Sequence, residues 1–504
     1  MILLDGTSLT LNALASIACD AAPVGLAPSA VASVQASRAV VERHADLPHA
    51  VYGINTGFGA LAEVRIPHEQ LAALQLNLLR SHAAGVGEPL SVAETRAVMT
   101  LRANVLAKGC SGIRLETLKA LLALLNAGVT PHVPSRGSVG ASGDLAPLAH
   151  LALVLVGEGA ALAPGSPLPG GDALSRAGLT PVTLASKEGL ALINGTQAST
   201  GVLALAVLSA ARLARAADIA AALSIDALRG SARPFDARIH AARPVPGQAA
   251  SAHNLRLLLE GSAINASHAN CAKVQDAYAL RCAPQVHGSA REAIGFAHRL
   301  AEIEANSATD NPMVFAGDDE IVSGGNFHGA PIALAADTLA IGIAQLATIS
   351  ERRTDRMMTP HESGLPAFLT RDSGLNSGFM MAHVTAAALT AELKSLCHPS
   401  AVDTIPTSAG REDHVSMSMG AALKAARVLE LATQVVAIEI MAAAQAIDLL
   451  SPLTTSPPLA AVHAVVRAQV PMLGDDRTPA PDITSITALI TSGALERGCP
   501  VQLA

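Results

Sequence analysis

Gly137-Ser138-Val139-Gly140-Ala141-Ser142-Gly143-Asp144-Leu145-Ala146-Pro147-Leu148-Ala149-His150 is the stretch from which the rest of the chain can be read. Gly137, Gly140 and Gly143 allow a tight turn, because glycine adopts backbone angles that other residues avoid. The apolar run that follows predicts a helix. Asp144 stands where an N-cap is expected, and Pro147 falls in the first turn, where its missing N–H breaks no helical hydrogen bond. Three small residues, Ala141-Ser142-Gly143, sit between turn and helix. Alone, that tripeptide is only an ordinary helix start.

Outward from this turn the pattern is helical. Leu115, Leu118, Leu121, Leu122 and Leu125 recur at three-and-four spacing, which predicts an amphipathic helix. Similar segments run over about 196–228, 330–356, 382–396 and 419–449. Several are apolar on most sides and predict buried helices. Gly189 to Ala211 carries no charge and is long enough to cross a bilayer. Its first half holds Asn194, Thr196, Gln197, Ser199 and Thr200, so it reads as a loop feeding a buried helix. The stretch 161–185, with Pro164, Pro167, Pro169, Gly170 and Gly171, reads as a surface loop. Residues 1–109 are mixed in character. Tyr52-Gly53-Ile54-Asn55-Thr56-Gly57-Phe58-Gly59 reads as a flexible loop, and Ser81 to Gly87 closes a helical stretch.

Composition supports a mainly α chain. Half of the 504 residues are hydrophobic but only 2% are aromatic, so Ala, Leu, Val and Ile must build the core. Such a composition favours helix. We expect a smaller mixed N-terminal domain over 1–109 and a long-helix bundle over 110–504. The 34 basic and 41 acidic residues are spread along the chain, which leaves no nucleic-acid footprint. Cys19, Cys110, Cys271, Cys282, Cys397 and Cys499 show no C-x-x-C pair and read as reduced cytoplasmic thiols. The start lacks a basic signal region, no membrane segment is expected, and no metal-ligand spacing stands out.

The fourteen residues from Gly137 to His150 closely resemble the signature of the histidine and aromatic amino-acid ammonia-lyases. That resemblance implies the aromatic ammonia-lyase/fumarase-like helical fold, and cyclisation of Ala141-Ser142-Gly143 to a methylidene-imidazolone (MIO), with no external cofactor. Gly143 lets its amide approach the Ala141 carbonyl, Ser142 loses its hydroxyl as water, and Ala141 is small enough to leave room for the ring. A helix N-terminus beside the ring favours the electron-rich state that follows nucleophilic addition.

Further matches follow in order along nearly the whole chain. Tyr52 resembles the family's catalytic base for the β-proton. It is one of only two tyrosines, and both fall in such motifs. A phenol of pKa about 10 needs roughly 2–3 kcal/mol of help to act near pH 8. Asn194, in Leu192-Ile193-Asn194-Gly195-Thr196-Gln197, resembles an asparagine near the ring and also reads as a helix cap. Gln275, Tyr278 and Arg281 resemble the segment in which tyrosine lies at the reacting centre and arginine grips the substrate carboxylate. Ala277 and Ala279 depart there from proline and serine, and a surface salt bridge is the other reading of Arg281. Phe327, in Ser323-Gly324-Gly325-Asn326-Phe327-His328, resembles a pocket wall and equally fits core packing.

Two motifs bear on the substrate. Ser81-His82 resembles the pair of histidine lyases, where phenylalanine and tyrosine lyases tend to show Phe-Leu and His-Leu. Glu412 resembles the histidine-type glutamate, whose carboxylate suits an imidazole N–H. Gly410-Arg411 stands where Asn-Gln is typical, and the guanidinium is a rival partner for Glu412. Histidine converted to urocanate is therefore the expected chemistry. A tyrosine or phenylalanine lyase, an MIO aminomutase, and a non-catalytic helical oligomer are the competing readings. Family likeness also implies a homotetramer with shared active sites, and the apolar segments 330–350 and 431–449 suit its centre.

Overall fold

The computed structural model describes all of the chain except residues 46, 48, 49 and 270–273, so Cys271 lies outside the described residues. The structure is mainly helical. Leu115–Asn126 forms the predicted amphipathic helix and buries all five leucines of its stripe. Gln197–Ala227, Ala330–Met358, Met380–Leu396 and Ser418–Leu449 occupy the four long segments that periodicity marks. Two of these, Ala330–Met358 and Ser418–Leu449, are long and apolar enough to cross a membrane but are mostly buried inside the protein. That burial is the behaviour of core helices.

The chain divides into two compact units. The first holds Met1–Leu205, His298–Asp337 and Pro399–Leu423, and the second holds Ala206–Ala297, Thr338–His398 and Lys424–Ala504. These divisions differ from a boundary at residue 109. Four of the five fall inside helices, where composition has no reason to change.

In the first unit lie all four two-stranded sheets among the described residues. Ile2–Leu4 pairs in parallel with Val24–Leu26, and the other three pairs are antiparallel. Val92–Ala107 starts at a reciprocal capping box: Glu94 N donates to Ser91 Oγ at 3.2 Å and Ser91 N to Glu94 Oε2 at 2.8 Å. From Thr95 to Ala107 every side chain of that helix is buried. The stretch 161–185 is not the continuous loop expected, because Gly170–Arg176 forms a helix that buries Ala173 and Leu174.

Glu188, fully buried, opens the short helix Glu188–Ile193 that leads to Asn194. Its carboxylate accepts from Arg114 N at 3.0 Å, Arg114 Nη2 at 2.5 Å, Thr117 Oγ1 at 2.6 Å and Ala185 N at 2.7 Å. Burying a carboxylate without such donors would be costly.

The second unit is helical and contains charges with no access to solvent. Arg353 donates to Glu439 through Nε at 2.5 Å and Nη2 at 2.8 Å. Asp218 accepts from His287 Nδ1 at 2.7 Å and Arg291 Nη2 at 2.6 Å. In each pair the partner offsets the loss of water.

Glu188→Ala strands the donors gathered on that carboxylate. The expected cost is about 2–4 kcal/mol, seen as unfolding at lower urea concentration, with Glu188→Gln losing less.

Candidate active site

The glycine turn is fixed by contacts that leave no room for side chains. Gly140 has φ +63°, and a Cβ there would lie 2.2 Å from Ser416 Oγ. Ser416 Oγ donates to Gly140 O at 2.9 Å, and Met417 N donates to Val139 O at 2.8 Å. Gly143 has φ +71° and forms a parallel bridge with Gly195. A Cβ on Gly143 would meet Gly195 O at 2.2 Å. Asp144 N donates to that same carbonyl at 2.7 Å.

Asp144 precedes the helix Leu145–Leu155 but does not cap it through its side chain. This corrects the capping expected from sequence. Its carboxylate accepts from Ser199 N and Ser199 Oγ, both at 2.8 Å, in the first turn of Gln197–Ala227, and from Ser138 Oγ at 2.9 Å. Asp144 thus caps the helix that starts at Gln197, through a residue 55 positions further along the chain. Burial pushes its carboxyl pKa up, against the pull of those donors.

Glu412 is the group around which the predicted residues gather. Ser142 Oγ lies 3.3 Å from Glu412 Oε1. Thr407 Oγ1 donates to the other carboxylate oxygen, and the backbones of Thr407 and Glu412 pair across a closed turn. Arg411 turns away from its neighbour and reaches Glu63 Oε1 at 3.4 Å, so the guanidinium does not take the Glu412 carboxylate.

Tyr52 and His82 both feel the charge of Glu412. His82 is the last residue of Leu71–His82, and its Nδ1 lies 2.9 Å from Leu78 O. A carbonyl can only accept, so this contact calls for a proton on Nδ1, whereas Ser81 Oγ, 3.0 Å from the same nitrogen, can donate to it in the other tautomer. Burial pulls the His82 pKa down, with Leu78 and Glu412 opposing, which favours the neutral ring at neutral pH.

Tyr52 is half-buried and meets Phe58 edge-on at 6.5 Å between ring centroids. Its loop is packed rather than loose: Ile54, Asn55 and Thr56 are buried, and Ser186 Oγ donates to Ile54 O at 2.9 Å. Burial raises the phenol pKa, and Glu412 and Asp310 add to the rise. The Gly59 backbone and Arg411 act the other way. The field that sequence reasoning asks of a base is therefore opposed by the net surroundings.

Asn194 ends Glu188–Ile193 instead of capping the following helix. Its Nδ2 donates to Asn311 O at 2.8 Å, while Oδ1 is buried and meets no donor among the described residues. Behind it lies a charged group that sequence reasoning misses. Fully buried Arg102 donates to Asn194 O and Gln197 Oε1, both at 2.7 Å, and Lys187 pairs with Asp310 at 3.0 Å. Burial pulls the Arg102 pKa down to about 10.

Phe327 is half-buried on the turn before Ala330–Met358. Its neighbour His328 stacks on His414 at 5.7 Å. Gln275, Tyr278 and Arg281 belong to the second unit, whereas Glu412 and the residues gathered on it belong to the first. Tyr278 is 70% exposed. The Arg281 guanidinium lies 4.6 Å from the Tyr278 ring centroid and its Nε donates to Asp276 O at 2.9 Å. Those are its partners, rather than the surface salt bridge that was the other reading.

Fold and site together define a lyase that acts on an amino acid. The chain belongs to the aromatic amino acid lyase family, whose sequence model matches residues 9–468. It is 57% identical to a histidine ammonia-lyase of Anaeromyxobacter dehalogenans (strain 2CP-C), over 98% of this chain and 99% of that protein. Among solved structures it resembles a histidine ammonia-lyase from Trypanosoma cruzi at 47% identity and TM-score 0.92, covering 99% and 94% of the two chains. It also resembles a tyrosine aminomutase from Streptomyces globisporus at 39% identity and TM-score 0.95, covering 100% of both.

Gly143→Ala must move the Gly195 backbone and hold a left-handed alanine. The expected loss is about 2–4 kcal/mol, read as a lower thermal midpoint, whereas Gly178→Ala, with open space at its Cβ, should lose less.

Proposed function

We propose that the chain eliminates ammonia from L-histidine to give trans-urocanate, with an MIO formed from its own Ala141-Ser142-Gly143. The observation that carries this reading is the Glu412 carboxylate 3.3 Å from Ser142 Oγ. A carboxylate beside the reacting residue can accept an imidazole N–H and balance its charge, a service the ring of phenylalanine cannot use. Full-length likeness to histidine ammonia-lyases supports the same substrate.

The residues present fit the prosthetic group. Gly143 has the left-handed backbone and absent Cβ that a close approach of its amide requires, and buried Asn194 Oδ1 still lacks a donor. The group supplies an electrophile for the substrate's α-amino nitrogen. Tyr52 takes the β-proton as general base. His82, neutral and in the tautomer protonated on Nδ1, accepts from the imidazole through Nε2, and Glu412 takes the other ring N–H or its charge. Arg281 holds the carboxylate bidentately with Gln275 beside it, Tyr278 stands at the reacting centre, and Phe327 lines the pocket.

Gln275, Tyr278 and Arg281 serve a site completed by subunits of a homotetramer. Two observations support this: Tyr278 is largely exposed, and Met381 and Val384 are exposed on the helix Met380–Leu396. Cys110, Cys282 and Cys499 are free thiols, in keeping with a cytoplasmic enzyme.

Side-by-side assays with L-histidine, L-tyrosine and L-phenylalanine test the substrate. Urocanate from histidine, with little turnover of the others, is expected. A β-amino acid from tyrosine as the main product would reassign the chain to aminomutase chemistry. Ser142→Ala should abolish turnover, and Tyr52→Phe should lower kcat by about 10²–10⁴-fold. Because burial raises the phenol pKa and the base must be deprotonated, kcat/KM should climb with pH into the alkaline range. A flat profile there would remove Tyr52 as the base.

A further inference from the structure

Polar side chains fill the space where Gly195 lacks a side chain. A Cβ there would lie 2.4 Å from Gln197 Oε1, 2.7 Å from Arg102 Nη1 and 2.8 Å from Thr309 Oγ1. The three are joined to one another: Arg102 Nη1 donates to Gln197 Oε1 and Gln197 Nε2 to Thr309 Oγ1, each at 2.7 Å. Arg102 Nη1 also donates at 2.7 Å to Asn194 O, the carbonyl of the peptide that enters Gly195. The peptide that leaves Gly195 is held separately, by Asp144 N donating to Gly195 O at 2.7 Å. Asn194 is tied once more through Nδ2, which donates to Asn311 O at 2.8 Å.

Burying Arg102 is costly. It lies fully out of water on the helix Val92–Ala107, and both of its hydrogen bonds leave from Nη1 and end on neutral oxygens. Its Nε and Nη2 are buried and meet no acceptor among the described residues. Stability alone favours an apolar side chain at such a position. What the guanidinium adds is direction, because its planar fork sets the Asn194 and Gln197 oxygens at fixed angles.

Through Gly195 that direction reaches Gly143, which bridges with it, and so the segment Ala141-Ser142-Gly143. Ring closure joins Gly143 N to the Ala141 carbonyl carbon. The Ala141 oxygen leaves as water with the amide protons of Ser142 and Gly143. Ser142 Oγ leaves as a second water with its own proton and the Ser142 α-hydrogen. The Asp144 N–H that ties the segment to Gly195 is not consumed, so this anchor serves open chain and ring alike.

We propose that Arg102 is a positioning residue for ring formation: by holding the Asn194 carbonyl it fixes Gly195 as the template against which Ala141-Ser142-Gly143 closes. This rests on the cyclisation proposed above. No atom of Arg102 enters the ring, so its removal should slow closure without changing the product.

Intact mass, sampled during cell-free synthesis of the full chain, follows closure as the loss of two waters. Arg102→Met should slow that loss by about 10–100-fold in folded protein. Arg102→Lys, which keeps the charge but not the planar fork, should recover part of the rate. Arg96→Met is the control: Arg96 is buried on the same helix but donates to Ile17 O and Leu125 O, so its loss should lower stability and leave closure at the wild-type rate. Folded Arg102→Met that sheds both waters at the wild-type rate overturns the proposal, as does equal slowing in Arg96→Met. Where Arg102→Met yields no folded chain, Arg102→Lys decides: slower closure supports the role and wild-type closure removes it. A wild-type chain that keeps its full mass defeats cyclisation itself, whereas wild-type and Arg102→Met chains that close equally fast defeat only the role of Arg102.

Discussion

The site depends on one backbone approach, the parallel bridge between Gly143 and Gly195. Neither position has space for a methyl group: Gly143 would strike Gly195 O at 2.2 Å, and Gly195, at φ +152°, would strike Gln197 Oε1 at 2.4 Å. That contact places Ala141-Ser142-Gly143 against the segment of Asn194. It also delivers Asp144 to the first turn of Gln197–Ala227, where a carboxylate satisfies helical N–H groups and the helix dipole together. Turn, helix start and asparagine are thus fixed by one pair of glycines.

Around this bridge the protein buries charge as well as small residues. Arg102, Lys187, Asp310, Asp144 and Glu188 all lie out of water in the first unit. Each has at least one charged or hydrogen-bonding partner, without which burial would be prohibitive. Arg102 holds the backbone of Asn194 through its carbonyl, and preorganised dipoles matter most where water is absent. The cost falls on Tyr52, whose phenol is made harder to ionise by the same burial.

The sequence reveals this architecture unevenly, for physical reasons. Leu115 to Leu125 is legible because one buried face imposes a 3.6-residue period. Motifs point to Tyr52, His82, Ser142 and Glu412, and the fold then sets Ser142 Oγ 3.3 Å from the Glu412 carboxylate, with Tyr52 and His82 within reach of its charge. Caps are less legible, since they depend on neighbours in space. Asp144 caps a helix far along the chain, and Asn194 ends one helix rather than starting another. Gly170–Arg176 hides behind two glycines and three prolines because burial of Leu174 outweighs weak helix propensity. Arg102 and Lys187 give no sign at all, because a charged letter reads as solvent-facing until its partners are known. Arg411 reads as a rival for Glu412 only until Glu63 is seen beside it.

All of the proposed chemistry rests on condensation of Ala141-Ser142-Gly143, and the intact mass of the purified, folded chain tests it most directly. The account predicts a chain lighter by two waters than the translation product, with the deficit lost in Ser142→Ala. A folded wild-type chain of full translated mass would contradict it.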